Sequence, residues 1–495
     1  MTSANYSERL VFTSSLFFKH ATQPLWVWYD QFGDQSKKEE ISEFTLKLME
    51  SGILHEEEYI SGLEVSKVEA IQAEQAVEAT LELMKNGADL IYQGCVQFEH
   101  EGVIYRGRPD LLEKREGKSM FGKWYYAPIE IKWSSKIKPT YKNQLALYSI
   151  ILERFQGYLP KDVGMINRHH DRLSMVLEEE SIPKTRALIQ QIIEVMNGNK
   201  PDFAITNKSK DSPWFKVALA EAEQKQDIAL IYRLDSRSLG ALRKEGICTL
   251  QDMISANLSA LPKIPYASPE TLQKAQLQAK SLIDKQVILI GQLDALSEVP
   301  LKLYFDIEGD PLLDIDYLFG ICVTGDEQYL YAKAEHVRFL EDGKYFVYFL
   351  AKQPEEEEAM WKAFLEWIKC LPEEYVVFHY ANYEKAHLKS LAEEYGGSVS
   401  LEQFQSKLVD LQKVVEKAII FPLYFYSIKD IAKSSFLNFK WRHQKASGGQ
   451  SVFWYEQWLE TRNNEILEDI INYNEDDVRA TECLFLWLNP ESNSS

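Results

Sequence analysis

The chain has 495 residues, 45% of them hydrophobic and 12% aromatic, which supports about two to four domains and excludes a mainly disordered chain. Its 55 Lys and Arg stand against 75 Asp and Glu, a net charge of −20; this argues against nonspecific coating of nucleic acid, but not against a local basic cleft. No apolar run has the length of a membrane-spanning helix, the start from Met1 to Arg9 does not resemble a signal peptide, and five scattered cysteines without a CxxC pair fit a reduced, cytoplasmic protein.

In chain order, the first segment covers residues 1–205. Helical apolar spacing over Val65–Lys85 stops at Asn86-Gly87. Strands are predicted over Leu90–Phe98, Val103–Arg106 and Trp124–Trp133, with a polar turn at Glu113–Lys118. A helix over Tyr141–Phe155 follows, so the pattern is an α/β module with a mixed sheet. Between Glu101 and Gln144, ten Lys and Arg face five Asp and Glu, reversing the global charge.

Residues 206–298 read as a small all-helical middle segment. Leu239–Leu250 and Leu258–Pro262 give two short helical pieces broken at glycine and proline. Two readings stay open here: a helix-hairpin-helix unit whose backbone N–H groups approach phosphate, or a spacer between domains. Residues 299–490 return to α/β, with strands at Leu301–Ile307, Tyr317–Val323 and Tyr375–His379. Its helices are predicted at Glu355–Lys369, Glu384–Glu394 and Ile466–Trp487, and 491–495 is expected to be a disordered tail. The acidic run Glu355–Glu358 is read as a solvated face.

Two constellations carry chemistry. In the first segment, Pro109-Asp110 is followed by Glu130-Ile131-Lys132, and then by Gln144 and Tyr148. Strand periodicity puts Glu130 and Lys132 on one face, and i, i+4 spacing puts Gln144 and Tyr148 on one side of a helix. Two carboxylates suit Mg²⁺ or Mn²⁺, which favour oxygen ligands, and Lys132 can act on the attacking water or on transition-state charge. In the last segment, Asp306 and Glu308 share a strand face, Glu384 follows a buried strand, and Tyr473 and Asp477 are spaced i, i+4. These acids can hold metal, while the Tyr473 phenol suits orientation of water.

The first constellation resembles the PD-(D/E)XK nuclease fold in its RecB-like branch, which carries the Gln-x-x-x-Tyr motif. That resemblance implies Asp110 and Glu130 as metal ligands, Lys132 as catalytic, and Gln144 and Tyr148 as accessory. The branch often adds an early acid or His from a helix, for which Glu74 and Glu78 are the candidates. Many members also bind an iron–sulfur cluster through four cysteines; the corresponding stretches, His20–Trp28 and Asn199–Trp214, lack Cys, so no cluster is expected.

The second constellation resembles the DEDD exonucleases of the RNase H-like superfamily, in the subtype ending Tyr-x-x-x-Asp. Glu384 replaces the usual Asp there; Asp410 is a rival third acid, and Asp476 a rival for Asp477. Together with Ser427–Ile431 and Ala446–Ser451, the domain order resembles bacterial RecB-like nucleases. This implies a metal-dependent phosphodiesterase acting on DNA in repair, recombination or mobile-element processing, exonucleolytic as one option. The alternatives are a nucleic-acid-binding or scaffold protein with inactive sites, and an RNA-processing exonuclease. No G-x-x-x-x-G-K-[ST] loop occurs, so any unwinding would need a separate helicase.

Overall fold

The computed structural model describes residues 9–489 except 42, 71, 135, 233, 293–298, 326–327, 341–342 and 444–447. The expected tail at 491–495, the start before Arg9 and part of the Ala446–Ser451 stretch lie outside these residues. The chain divides into two units, Met1–Ala222 and Glu223–Ser495.

The first unit contains β1 (Leu10–Phe12), β2 (Ser66–Lys67), β3 (Leu90–Tyr92), β4 (Val96–His100) and β5 (Val103–Gly107). It continues with β6 (Leu111–Ser119), β7 (Gly122–Ile131), β8 (Asp162–Ile166) and β9 (Arg172–Val176). A six-stranded mixed sheet has the order β2-β3-β6-β7-β8-β9, and β1-β5-β4 form a second, three-stranded sheet. Leu147, Ile150 and Ile151 of the Pro139–Gln156 helix share a core with Ile91, Leu112 and Tyr126 of the larger sheet. Proline opens that helix, where a missing N–H costs nothing, and Gly157 closes it with φ +69°.

Three sequence expectations change here. The Val65–Lys85 helix begins only at Ala73, because Ser66–Lys67 pairs in parallel with Ile91–Tyr92. The strand expected over Leu90–Phe98 breaks into β3 and β4 around Gln93, which has φ +54°. The polar stretch Glu113–Lys118 is a strand and not a turn. Its polarity serves cross-strand ion pairing: Arg172 on β9 meets both Glu113 oxygens at 2.7 Å, and Arg115 Nε adds a third bond at 2.8 Å. The reversal falls instead between Ser119 and Gly122.

The second unit opens with helices Ser236–Lys244, Leu250–Ser255 and Pro269–Asp284. The expected second helical piece at Leu258–Pro262 is only a short 3-10 turn, Leu258–Ala260. Thr249 and Asp252 form a reciprocal capping box at the start of Leu250–Ser255. The strands are β10 (Ile288–Leu289), β11 (Leu301–Asp310), β12 (Ile315–Thr324), β13 (His336–Phe339) and β14 (Tyr345–Leu350). After them come β15 (Tyr375–His379), β16 (Leu408–Asp410) and β17 (Ile419–Ile420). The main sheet has the order β13-β14-β12-β11-β15-β16, antiparallel up to β11 and parallel beyond it; β10 pairs with β17.

Period two along β11 decides where the acids go. Leu301, Leu303, Phe305 and Ile307 join Trp361 and Phe364 of the Glu357–Ile368 helix in one core. Tyr304, on the other face, packs with Val478, Leu484 and Phe485 of the Asn464–Leu488 helix. Asp306 and Glu308 share that second face by alternation, so they meet the helix that carries Asp477.

Candidate active sites

In the first unit, Ile129 and Ile131 enter an apolar cluster with Leu111, so Glu130 between them projects the opposite way. It is fully buried beside Asp110. The Asp110 N–H donates to Glu130 Oε1 at 3.3 Å, and the Ile131 N–H donates to Asp110 Oδ2 at 2.7 Å. Lys132 reaches both acids, in close contact with Glu130 Oε2 and 3.4 Å from Asp110 Oδ2. Gln144 Nε2 donates to Glu130 Oε2 at 2.7 Å and to the Tyr148 hydroxyl at 2.9 Å. The structure therefore brings Asp110, Glu130, Lys132, Gln144 and Tyr148 together.

Burial, followed by the charge of Asp110, pushes the Glu130 carboxyl up to about 8. Burial opposes charging of Lys132, but the carboxylates of Glu130 and Asp110 outweigh it and hold the ammonium above its usual range. An acid other than the two candidates stands beside Asp110. Glu74 and Glu78 are exposed on the Ala73–Lys85 helix, whereas Glu56 of the Glu43–Ser61 helix faces the pair. Glu56 accepts from Gln93 Nε2 at 2.5 Å; burial and then the charge of Asp110 raise its carboxyl. Sequence reasoning missed it because no local spacing ties residue 56 to residue 110. Beside this group, Lys67, Tyr92, Gln93 and Arg108 line a cleft of about 520 Å³.

In the second unit, carboxylate oxygens of Asp306, Glu308 and Asp477 lie within 4.8 Å of one another. Glu308 is 7% exposed and Asp477 8%. Asn474 Nδ2 donates to Asp306 Oδ2 at 2.7 Å, and Trp441 Nε1 donates to Asp477 Oδ1 at 2.6 Å. Ser451 and Asn474 hydrogen-bond Glu308. Burial first, then like charge, raises Asp306; burial and the charge of Asp477 push Glu308 up to about 8; burial raises Asp477 against the opposing charge of Lys429. Three clustered carboxylates, Glu308 and Asp477 buried and Asp306 half-buried, offer hard oxygen donors that suit a divalent cation, which would relieve that repulsion.

The remaining acids resolve by their partners. Glu384, 3% exposed, bonds His379 Nδ1 at 3.1 Å and stands outside the three-carboxylate group among the described residues. Its charge still acts on Asp306. Asp410 Oδ1 accepts the N–H groups of Ala381 and Gln412, both at 3.0 Å, so it serves as a helix cap. Asp476 turns to Arg442, whose Nε donates at 2.9 Å. Tyr473 is 2% exposed; its hydroxyl donates to Asp477 and accepts from Lys429 Nζ. Lys429, Trp441, Ser451 and Asn474 were not among the sequence candidates. Asn474 had a local signal, sitting three residues before Asp477 on the same helix, and Lys429 and Ser451 lie in the stretches Ser427–Ile431 and Ala446–Ser451 that carry part of the resemblance.

Gly320 is part of this geometry. It faces Asp306 across the β11/β12 ladder, and a Cβ there would lie 1.7 Å from Asn474 Oδ1 and 2.8 Å from Phe346 Cε2. Gly320→Ala should therefore cost about 1–3 kcal/mol by overpacking and should release the Asn474–Asp306 bond. Denaturant unfolding and Mn²⁺ affinity measure the two effects. Wild-type values for both would contradict the assigned contact.

No described helix is long and apolar enough to cross a membrane. No curated protein matches the chain. Residues 303–489 match the family model of the RNase H superfamily, a class whose members suggest nuclease-type function. All three clustered carboxylates lie within that range, and the chain carries a C-terminal RNase H-like module.

Proposed function

We propose that the protein is a Mg²⁺- or Mn²⁺-dependent nuclease that hydrolyses phosphodiester bonds of DNA, with a second, RecB-like PD-(D/E)XK site in its N-terminal unit. The observation that carries this reading is the convergence of Asp306, Glu308 and Asp477, from two distant stretches, on one cluster of oxygen donors, two of them buried. When bound there, a divalent cation would lower the pKa of a coordinated water and neutralise charge on phosphate. The chain's own residues hold the donors: Asn474 orients Asp306, Trp441 orients Asp477, and the Tyr473 hydroxyl is anchored between Asp477 and Lys429.

Support for the N-terminal site comes from Asp110, Glu130 and Lys132 in contact, with Gln144 bracing Glu130 and Glu56 as a third acid. Lys67 and Arg108 outnumber Glu69 in the adjacent cleft and offer positive charge to a strand backbone. The proposed cellular setting is the cytoplasm, in repair, recombination or mobile-element processing, with a separate helicase supplying any unwinding.

The test uses purified full-length protein, labelled single- and double-stranded DNA and RNA, and Mg²⁺ or Mn²⁺. Lys132→Ala and Asp306→Ala should each remove part of the cleavage, and the double variant all of it. Cleavage unaffected by the double variant would sink the site assignment. Absence of cleavage on every substrate would favour a binding protein, and selective loss of RNA cleavage would move the substrate class.

A further inference from the structure

The three-carboxylate cluster is flanked by a segment of opposite charge. From Ser427 to His443 the chain carries Lys429, Lys433, Lys440 and Arg442 against one acid, Asp430, although its net charge is −20. The segment opens with the short helix Ile428–Ala432, whose Ile431 and Ala432 are buried. Lys433 ends that helix, its N–H donating to the Lys429 carbonyl at 3.0 Å. The chain then returns on itself. The Phe439 N–H donates to the Ala432 carbonyl at 2.8 Å, with Asn438 at φ +54°, a left-handed conformation that asparagine tolerates. This return sets Trp441 in one apolar cluster with Ala432, Tyr473 and Ala480, where its Nε1 reaches Asp477.

The cations of this segment fall into two pairs. Arg442 is committed to Asp476 and Glu475, and Lys429 to the Tyr473 hydroxyl and Asp477. Lys433 and Lys440 are exposed and make no ion pair among the described residues. Lys433 Nζ stands 5.2 Å from the centroid of the Trp441 ring, the same indole whose N–H holds Asp477. Lys440 immediately precedes that tryptophan. Two unneutralised ammonium groups are thus carried on the element that also orients a carboxylate of the candidate site. A strand whose phosphates approach clustered carboxylates meets repulsion, and flanking lysines offset it while releasing counterions from the backbone.

We propose that the exposed face of residues 433–441 binds the phosphate backbone of a nucleic-acid strand beside the C-terminal site, with Lys433 and Lys440 each contacting one phosphate. The inference rests on the nuclease reading above and adds the surface that holds the strand.

Fluorescence anisotropy of a labelled oligothymidylate tests it, with full-length protein, Ca²⁺ and a series of KCl concentrations. A Lys67→Gln/Arg108→Gln background removes the cations of the N-terminal cleft. Adding Lys433→Gln/Lys440→Gln should weaken binding about tenfold and flatten the slope of log affinity against log salt by about 1.4, two contacts at about 0.7 each on a single strand. Lys433→Arg/Lys440→Arg should retain both affinity and slope. An unchanged slope in the glutamine variant would overturn the inference, as would absence of strand binding by the background protein. So would an equal loss from Lys362→Gln/Lys369→Gln, at the helix packed against the opposite sheet face, since that would reflect net charge alone. Hydrolysis with Mn²⁺ separates the two readings. Strand binding through Lys433 and Lys440 without any hydrolysis by unaltered protein would keep this surface and sink the catalytic reading. Hydrolysis lost on Asp306→Asn, together with a salt slope indifferent to both lysines, would do the reverse.

Discussion

Asp306→Asn in a Lys132→Ala background should lower the remaining metal-dependent hydrolysis about a thousandfold or more, equivalent to about 4 kcal/mol of transition-state stabilisation. The substitution preserves volume, and an amide oxygen can still accept from Asn474 Nδ2, whose bond to Asp306 measures 2.7 Å. What disappears is the negative charge that a divalent cation needs. Asp477→Asn should have a comparable effect, since its carboxylate completes the same pocket. Asp476→Asn should leave hydrolysis within a few-fold of the parent, because Asp476 is spent on Arg442. Initial rates on a labelled single strand at saturating Mn²⁺ measure all three. Equal losses for Asp476→Asn and Asp477→Asn would mean that the wrong acid has been placed in the site.

Metal-free protein should become less stable as pH rises from about 6 to about 8.5, with an apparent melting temperature lower by about 5 °C or more. Burial and like charge raise Asp306 and Asp477 and push Glu308 and Glu130 up to about 8. An unfolded chain releases these protons near pH 4. The folded chain retains them until the pH approaches the raised values, so unfolding releases protons, and higher pH favours it. Depressed acids such as Glu113 act oppositely, but their contribution is already complete above about pH 5. Mn²⁺ should restore the lost stability by replacing the protons, and Glu308→Gln should flatten the metal-free slope. Scanning calorimetry with chelator and with Mn²⁺ checks both. A flat metal-free profile would show that the carboxylates are not buried as a charged group.

Much of each site was legible because its spacing is local. Glu130 and Lys132 follow strand alternation, Gln144 with Tyr148 and Tyr473 with Asp477 follow one helical turn, and the strand Tyr375–His379 has the predicted bounds. Boundaries failed where pairing overrode local character. Val65–Gln72 read as helix until β2 paired with β3, and the polar Glu113–Lys118 read as a turn until Arg172 compensated it.

By itself, the sequence determined the two α/β segments, the acids at 110, 130, 306, 308 and 477, and the order in which they occur. Those properties depend on periods of two and of about four residues, which operate without tertiary context. Tertiary structure alone decided which acids converge and what restrains them. It placed Glu56 beside Asp110 and left Glu74 and Glu78 exposed, gave Asp410 and Asp476 to a cap and an arginine, and set Glu384 against His379. It also delivered Lys429, Trp441 and Ser451 from separate elements. These partners are joined by packing across the sheet face, where sequence separation carries no periodic signal.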